Sequence, residues 1–234
     1  MVMYGSPVWA KSITKKEEAI LNSMQRPMAL RIARAFRTTP TAMLFVLAGT
    51  LPYKWLAKAW GNVCSRTEEI KRTGRMLSNQ QKESIRAQEM KLAMESWRKE
   101  LEEDGKKKKP FLKIIIKKWD EWQQNGPPTY RVVQLTTGHG CFAEYLKKIG
   151  AIRLNTCQEC SMEVDNSDHT LFRCSAFNNQ RGNIRIKIGD RLNHETFIEA
   201  IMDGKEKGEA VIEYAEEVMK IKEQRDREDE RREN

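Results

Sequence analysis

The chain has 234 residues, of which 42 are Lys or Arg and 33 are Asp or Glu, giving a formal net charge of +9 and a pI near 9.3. Charged residues make up 32% and mean hydropathy is −0.70, more polar than a typical compact domain, which points to several helices around small cores, and the basic balance favours a polyanionic partner such as nucleic acid. No apolar run approaches the length of a membrane span.

In chain order, Met1 to Trp9 reads as the middle of a core element, with Tyr4, Val8 and Trp9 apolar. Thr14 and Glu17 form a capping box that opens a helix. Ile20, Met24, Met28, Ile32 and Phe36 recur every fourth residue and predict one apolar face. Pro27 falls inside that pattern and is expected to break or kink it. Thr39-Pro40 opens another helix that Gly49 closes, and Thr50-Leu51-Pro52 starts a third. That third helix is expected to place Trp55, Leu56, Ala59 and Trp60 in a core.

From Arg66 to Asp104 the sequence is charged and helix-prone, with Met90, Met94, Trp97 and Leu101 as a narrow seam, and reads as a spacer helix. The run Lys106, Lys107, Lys108, Lys109 is a solvated loop or a phosphate contact. Phe111, Ile114, Ile115, Lys118, Trp119 and Trp122 follow a 3.6-residue period up to the boundary at Gly126-Pro127-Pro128. Beyond Thr137-Gly138-His139-Gly140, a short helix carries Phe142, Tyr145 and Leu146. After Cys174 come weakly patterned basic residues, then a helix around Glu195 to Met202. From Lys205 onward a helix holds eight basic and eleven acidic residues.

Cys157, Cys160, His169 and Cys174 are spaced C-x2-C-x8-H-x4-C. Three thiols and one imidazole suit a closed tetrahedral structural Zn2+ site with no open position for a substrate. The Cys157-to-Cys160 pair grips a metal from one tight turn, and Asn166, Ser167 and Asp168 are helix N-cap candidates just ahead of His169. The four ligands fall within eighteen residues, so loop closure costs little entropy. Cys64 and Cys141 read as small buried residues. Thiols used for metal rather than for pairing fit a reducing compartment. His139 reads as a turn residue, with a zinc-ligand or phosphate-contact role as the alternative. His194 is assigned no role. Phe172 and Phe177 are expected in the core.

Four stretches resemble a known family. They are Met3-Tyr4-Gly5-Ser6-Pro7-Val8-Trp9-Ala10, then Gln25 to Ile32 with Ala35-Phe36-Arg37-Thr38 and Val46 to Pro52. The third is Leu135 to Phe142 with Tyr145-Leu146, and the fourth is His169 to Cys174 with Phe177. Their order is similar to that in the C-terminal part of the Pol polyprotein of non-LTR (LINE-type) retrotransposons, especially arthropod elements with fixed insertion sites. The resemblance implies a mainly α fold. A thumb-like helical remnant of a reverse transcriptase would span 1–62 and a charged helical linker 63–128. A CCHC zinc module would span 129–190 and a charged helical tail 191–234.

The same resemblance implies a parent that is an RNA-directed DNA polymerase and endonuclease acting in target-primed reverse transcription. Its partners are element RNA, target DNA and the rest of the polyprotein, without a membrane, and its setting is intracellular and nuclear at the point of action. Polymerase chemistry needs carboxylates that hold Mg2+, and the family carries an Asp-Asp pair upstream of the residues matched here. No Asp-Asp pair occurs in this sequence. The chain therefore reads as a fragment that is inactive by itself, with no catalytic residue of its own and Mg2+ only in the parent. The candidate phosphate contacts are Lys147, Lys148, Arg153, Arg173, Arg181 and Arg185, with the Lys106–Lys109 run. A structural or protein-interaction zinc module that does not touch nucleic acid is the alternative.

Overall fold

The computed structural model describes residues 3–103, 110–125, 128–162, 164–189 and 191–233. It is 75% helical, and among the described residues there is no β-strand, only an isolated antiparallel bridge between Thr156 and Val164. The fold is mainly α, as read from the sequence. The chain divides into two compact units, one of residues 1–29 and 50–107, the other of 30–49 and 108–234.

The first unit contains α1 (Ser6–Trp9), most of α2 (Lys15–Ala33), α4 (Tyr53–Arg72) and α5 (Asn79–Glu103). The Thr14 amide donates to the Glu17 carboxylate at 2.7 Å and the Glu17 amide donates to Thr14 Oγ1 at 3.3 Å, so the expected capping box forms. Three expectations fail here. Pro27 does not end α2, which continues to Ala33. The proline removes one helical hydrogen bond, and burial of the adjoining stripe Leu21, Gln25, Ala29 and Ala33 holds the helix. The Gln25 amide reinforces it, donating to the Leu51 carbonyl at 2.9 Å and accepting from the Tyr53 amide at 2.9 Å.

The predicted apolar face is therefore rotated by one residue: Ile20, Met24 and Met28 remain 51%, 54% and 43% exposed. Tyr4 and Val8 are also exposed rather than core. In α4, Lys54, Ala57, Ala59 and Gly61 are buried, while Trp55 and Trp60 are half-buried. Small side chains let the helices approach closely, and the indoles lie at polar edges. Trp55 Nε1 donates to Glu100 at 2.7 Å, and the Arg86 guanidinium lies 4.3 Å over the Trp60 ring.

The expected spacer is two helices. α4 reaches Arg72, and α5 returns antiparallel to it, burying Ile85, Glu89, Ala93, Trp97 and Leu101. Glu89 receives Arg66 at 2.7 Å and Asn62 at 2.9 Å, and Lys54 lies between Glu18 and Glu100.

The second unit contains α3 (Thr41–Leu47), α6 (Pro110–Lys117), α7 (Trp119–Gln124), α8 (Tyr130–Thr137), α9 (Ala143–Lys148), α10 (Asn178–Ile188), α11 (His194–Asp203) and α12 (Lys205–Glu233). Met43 to Leu47 are all buried. Of the predicted positions Phe111, Ile115, Trp119 and Trp122 are buried, joined by Leu112 and Ile116, while Ile114 and Lys118 are half-buried and the helix breaks at Lys118 between α6 and α7. α10 lies where no helix was expected.

The acidic-basic tail is core on one side. α12 buries Ala210, Val211, Tyr214, Ala215, Val218, Met219 and even Lys222, and packs on α8, α10 and α11. Gly208 permits the close crossing, because a Cβ there would sit 3.1 Å from the Ala200 carbonyl oxygen.

Candidate metal centre

The site is assembled by a turn, a capped helical start and a wide helical turn. Cys157 begins a tight turn in which the Ser161 amide donates back to the Cys157 carbonyl at 2.7 Å, with Ser161 in the left-handed region at φ 59°. Thr156 pairs with Val164 and closes this loop. Asn166 caps the next element: its side chain accepts from the His169 amide at 2.9 Å. His169–Arg173 then forms a π turn whose closing bond runs from the Cys174 amide to the His169 carbonyl at 2.7 Å. This wider turn brings His169 and Cys174 to one side.

The four ligand atoms lie within 4.8 Å of one another, and no second group of this kind occurs among the described residues. Cys157 Sγ is 3.8 Å from Cys174 Sγ, and Cys160 Sγ is 3.3 Å from His169 Nε2. Four ligands at Zn–S distances of about 2.3 Å define a tetrahedron with sulfur–sulfur edges of about 3.8 Å. The same separation is far beyond a disulfide bond of about 2.05 Å. Cys157, His169 and Cys174 are buried and Cys160 is half-exposed. The donor set and its spacing fit a structural zinc ion with no open position.

Burial pushes the Cys157 thiol up to about 12 and raises Cys174 as well, so thiolates at this site need a compensating cation. Around the ligands stands a set of groups that sequence reasoning missed. Lys222, only 4% exposed, donates to Asp165 at 2.8 Å and lies 3.5 Å from Glu159. Burial opposes the charge on Lys222, yet Asp165 and Glu159 hold its ammonium above the usual lysine value. Asp165 also accepts from the Ala143 amide at 2.9 Å, which fixes the start of α9 against the ligand loop. Tyr214 donates to the Leu171 carbonyl at 2.7 Å inside the π turn. The signal that could have found these groups is the apolar stripe Val211, Ala215, Val218 with Lys222 one further turn along.

The predicted phosphate contacts divide. Lys147, Lys148, Arg153, Arg173 and Arg185 are exposed. Arg181 is not: it is 3% exposed, and its guanidinium donates to the carbonyls of Thr170, Leu171 and Cys174 and to the Asn178 side chain. It braces the ligand loop, sharing the Leu171 carbonyl with the Tyr214 hydroxyl and the Cys174 carbonyl with the Phe177 amide. The Lys106–Lys109 run lies outside the described residues, as do Gly126 and Pro127 of the expected boundary.

His139 is not in the cluster. It is buried, with Nδ1 3.3 Å from Thr39 Oγ1 and its ring 4.7 Å from that of Tyr145. His194, which the sequence left without a role, lies 2.8 Å from Asp168 and edge-on to Phe111 and Phe172. Phe177 is core and Phe172 half-buried. Cys141 is half-buried and its thiol is pushed up to about 12 by burial.

Fold and site together define a mainly helical protein with a cluster of three cysteines and one histidine that could hold a metal ion. No protein-family model matches the chain, and no solved structure matches it. The chain is similar to a retrovirus-related Pol polyprotein from the type-1 retrotransposable element R1 4 of Nasonia vitripennis. Identity is 28% over 184 residues, covering 75% of this chain and 46% of the relative. The chain thus spans about half the length of the curated relative it matches. It is related to non-LTR retrotransposon Pol polyproteins, as its motifs imply. Among the described residues, no helix is long and apolar enough to cross a membrane.

Proposed function

We propose that the chain is the nucleic-acid-binding, zinc-stabilised part of a retrotransposon reverse transcriptase and endonuclease polyprotein. Its role is to hold element RNA and target DNA during target-primed reverse transcription, in the nucleus. One observation carries this reading. The segment that runs from α9 into the ligand turn exposes Lys147, Lys148 and Arg153 together with Ile149, Ile152 and Leu154, the last 75% exposed. Met162, 82% exposed, stands beyond the ligand turn in the segment paired back by the Thr156–Val164 bridge. Cations for phosphates beside apolar side chains for unstacked bases suit a single strand, and such contacts position it with little sequence preference.

A second reading, a structural module that does not contact nucleic acid, is favoured by Arg181 and Lys222. These two cations beside the centre serve internal carbonyls and carboxylates. The two readings separate by salt. With about four phosphates neutralised on a single strand, log affinity falls with log salt at a slope near −3. Replacing Lys147, Lys148 and Arg153 together by Ala makes the slope shallower by about 2. The assay is titration of labelled single-stranded RNA and DNA with the full chain at several salt concentrations, with and without chelator. Salt-independent binding, or binding indifferent to both chelator and the triple substitution, refutes the nucleic-acid reading.

A further inference from the structure

We infer that Lys222 is a positioning residue of the metal centre, and that α12 completes a centre the 129–190 segment does not form by itself. The inference rests on the reading of Cys157, Cys160, His169 and Cys174 as metal ligands.

Three thiolates and a neutral imidazole around a divalent ion leave one net negative charge. The ligand loop adds two more carboxylates in buried positions. Glu159 lies inside the Cys157-to-Cys160 turn, with Oε2 3.6 Å from Cys157 Sγ. The Asp165 side chain is 5% exposed, and Asp165 lies four residues ahead of His169. Neither belongs in a dry pocket beside thiolates without a cation. Lys147, Lys148 and Arg153, which flank the cluster in sequence, are exposed, and Arg181 is engaged by the Thr170, Leu171 and Cys174 carbonyls.

The charge comes from 57 residues beyond Asp165, in the Lys222 ammonium, which touches Asp165 at 2.8 Å and Glu159 at 3.5 Å. One helical turn on, Arg225 donates to the Gln158 carbonyl at 2.9 Å and lies 3.9 Å from Glu159. The cysteine turn is therefore clamped onto α12 at its backbone and at its carboxylate. Groups that orient ligands from outside typically change metal affinity 10- to 100-fold when removed.

The test uses the full chain and Zn2+, with affinity measured by competition against a chromogenic chelator. Lys222→Met is expected to weaken Zn2+ binding about 10- to 100-fold. Adding Glu159→Gln to that variant is expected to recover part of the loss, because one of the two carboxylates left without Lys222 is removed. A merely structural role for Lys222 predicts no such recovery. Arg225→Ala, whose side chain is 47% exposed and whose loss leaves the core untouched, is expected to weaken binding about tenfold. The Co2+-loaded forms report by their absorption whether the tetrahedron of three sulfurs and one nitrogen is retained.

Wild-type affinity in both Lys222→Met and Arg225→Ala overturns the inference while leaving the metal reading standing. Loss of binding in Lys222→Met without recovery by Glu159→Gln, together with unchanged Arg225→Ala, overturns it as well. A wild-type chain that binds no Zn2+ overturns the metal reading itself and the inference with it.

Discussion

Ending the chain after Gly204 removes α12, and the structure sets what that costs. Val211, Val218 and Met219 have no measurable exposure and Tyr214 has 4%. At about 1.5–3 kcal/mol for each fully buried side chain of this size, their burial contributes roughly 6–12 kcal/mol. That is comparable to the whole stability of an ordinary domain, about 5–15 kcal/mol. The loss also strips Arg131 of Glu216 and Glu223 and leaves Asp165 without Lys222. We therefore expect the 1–204 chain to lose the second unit as a cooperative structure and to hold no stoichiometric metal, with α4 and α5 retained. Met219→Ala is the graded version, with an expected cost of about 2–5 kcal/mol and a drop in Tm of roughly 4–20 °C. Far-UV circular dichroism through a urea titration, paired with metal analysis of the purified chains, reads both. A 1–204 chain that unfolds at the full-length midpoint with one bound metal would refute the argument that α12 is core.

Further outcomes follow from single residues. Cys160→Ser is expected to lose the metal and the ordered 150–180 segment while the first unit keeps its helical signal; a variant that retains a full equivalent of Zn2+ contradicts the ligand assignment. Arg181→Met removes the guanidinium shared by the Thr170, Leu171 and Cys174 carbonyls, the last two of which keep Tyr214 and the Phe177 amide as donors, so it should destabilise the second unit by about 1–3 kcal/mol. Its effect on the salt slope of nucleic-acid binding should be nil in the folded fraction, and a slope made shallower would return Arg181 to the phosphate contacts. The hydrogen bond from Arg66 holds the Glu89 carboxyl below its usual value of 4.5. Its folded pKa being the lower one, Glu89 stabilises the first unit above pH 4.5, and that contribution is lost as the pH falls further. Glu89→Gln should flatten the acid side of the stability profile, and an unchanged profile counts against the pair.

The local signals in this sequence were strong where a short stretch decides its own geometry. The C-x2-C-x8-H-x4-C spacing identified all four clustered side chains, because two cysteines three apart and a capped turn five residues long bring their atoms together with little help from elsewhere. The capping box at Thr14, the helix end at Gly49 and most of the α6–α7 period were legible for the same reason. Which side of a helix is buried was not. Leu21, Gln25, Ala29 and Ala33 are less apolar as a stripe than Ile20, Met24 and Met28, yet they are the buried set, since small side chains and one well-placed amide let neighbours approach.

Charge patterning misled most. Basic residues read as solvent-facing, yet Arg181 and Lys222 are among the most buried polar groups, each satisfied by acceptors that only the packing of α10 and α12 supplies. Sequence alone thus determined which four side chains cluster, because their partners are neighbours along the chain. The tertiary structure decided what surrounds them, because a buried charge is stable only where distant elements bring its counter-charge, and no local window contains Asp165 and Lys222 together.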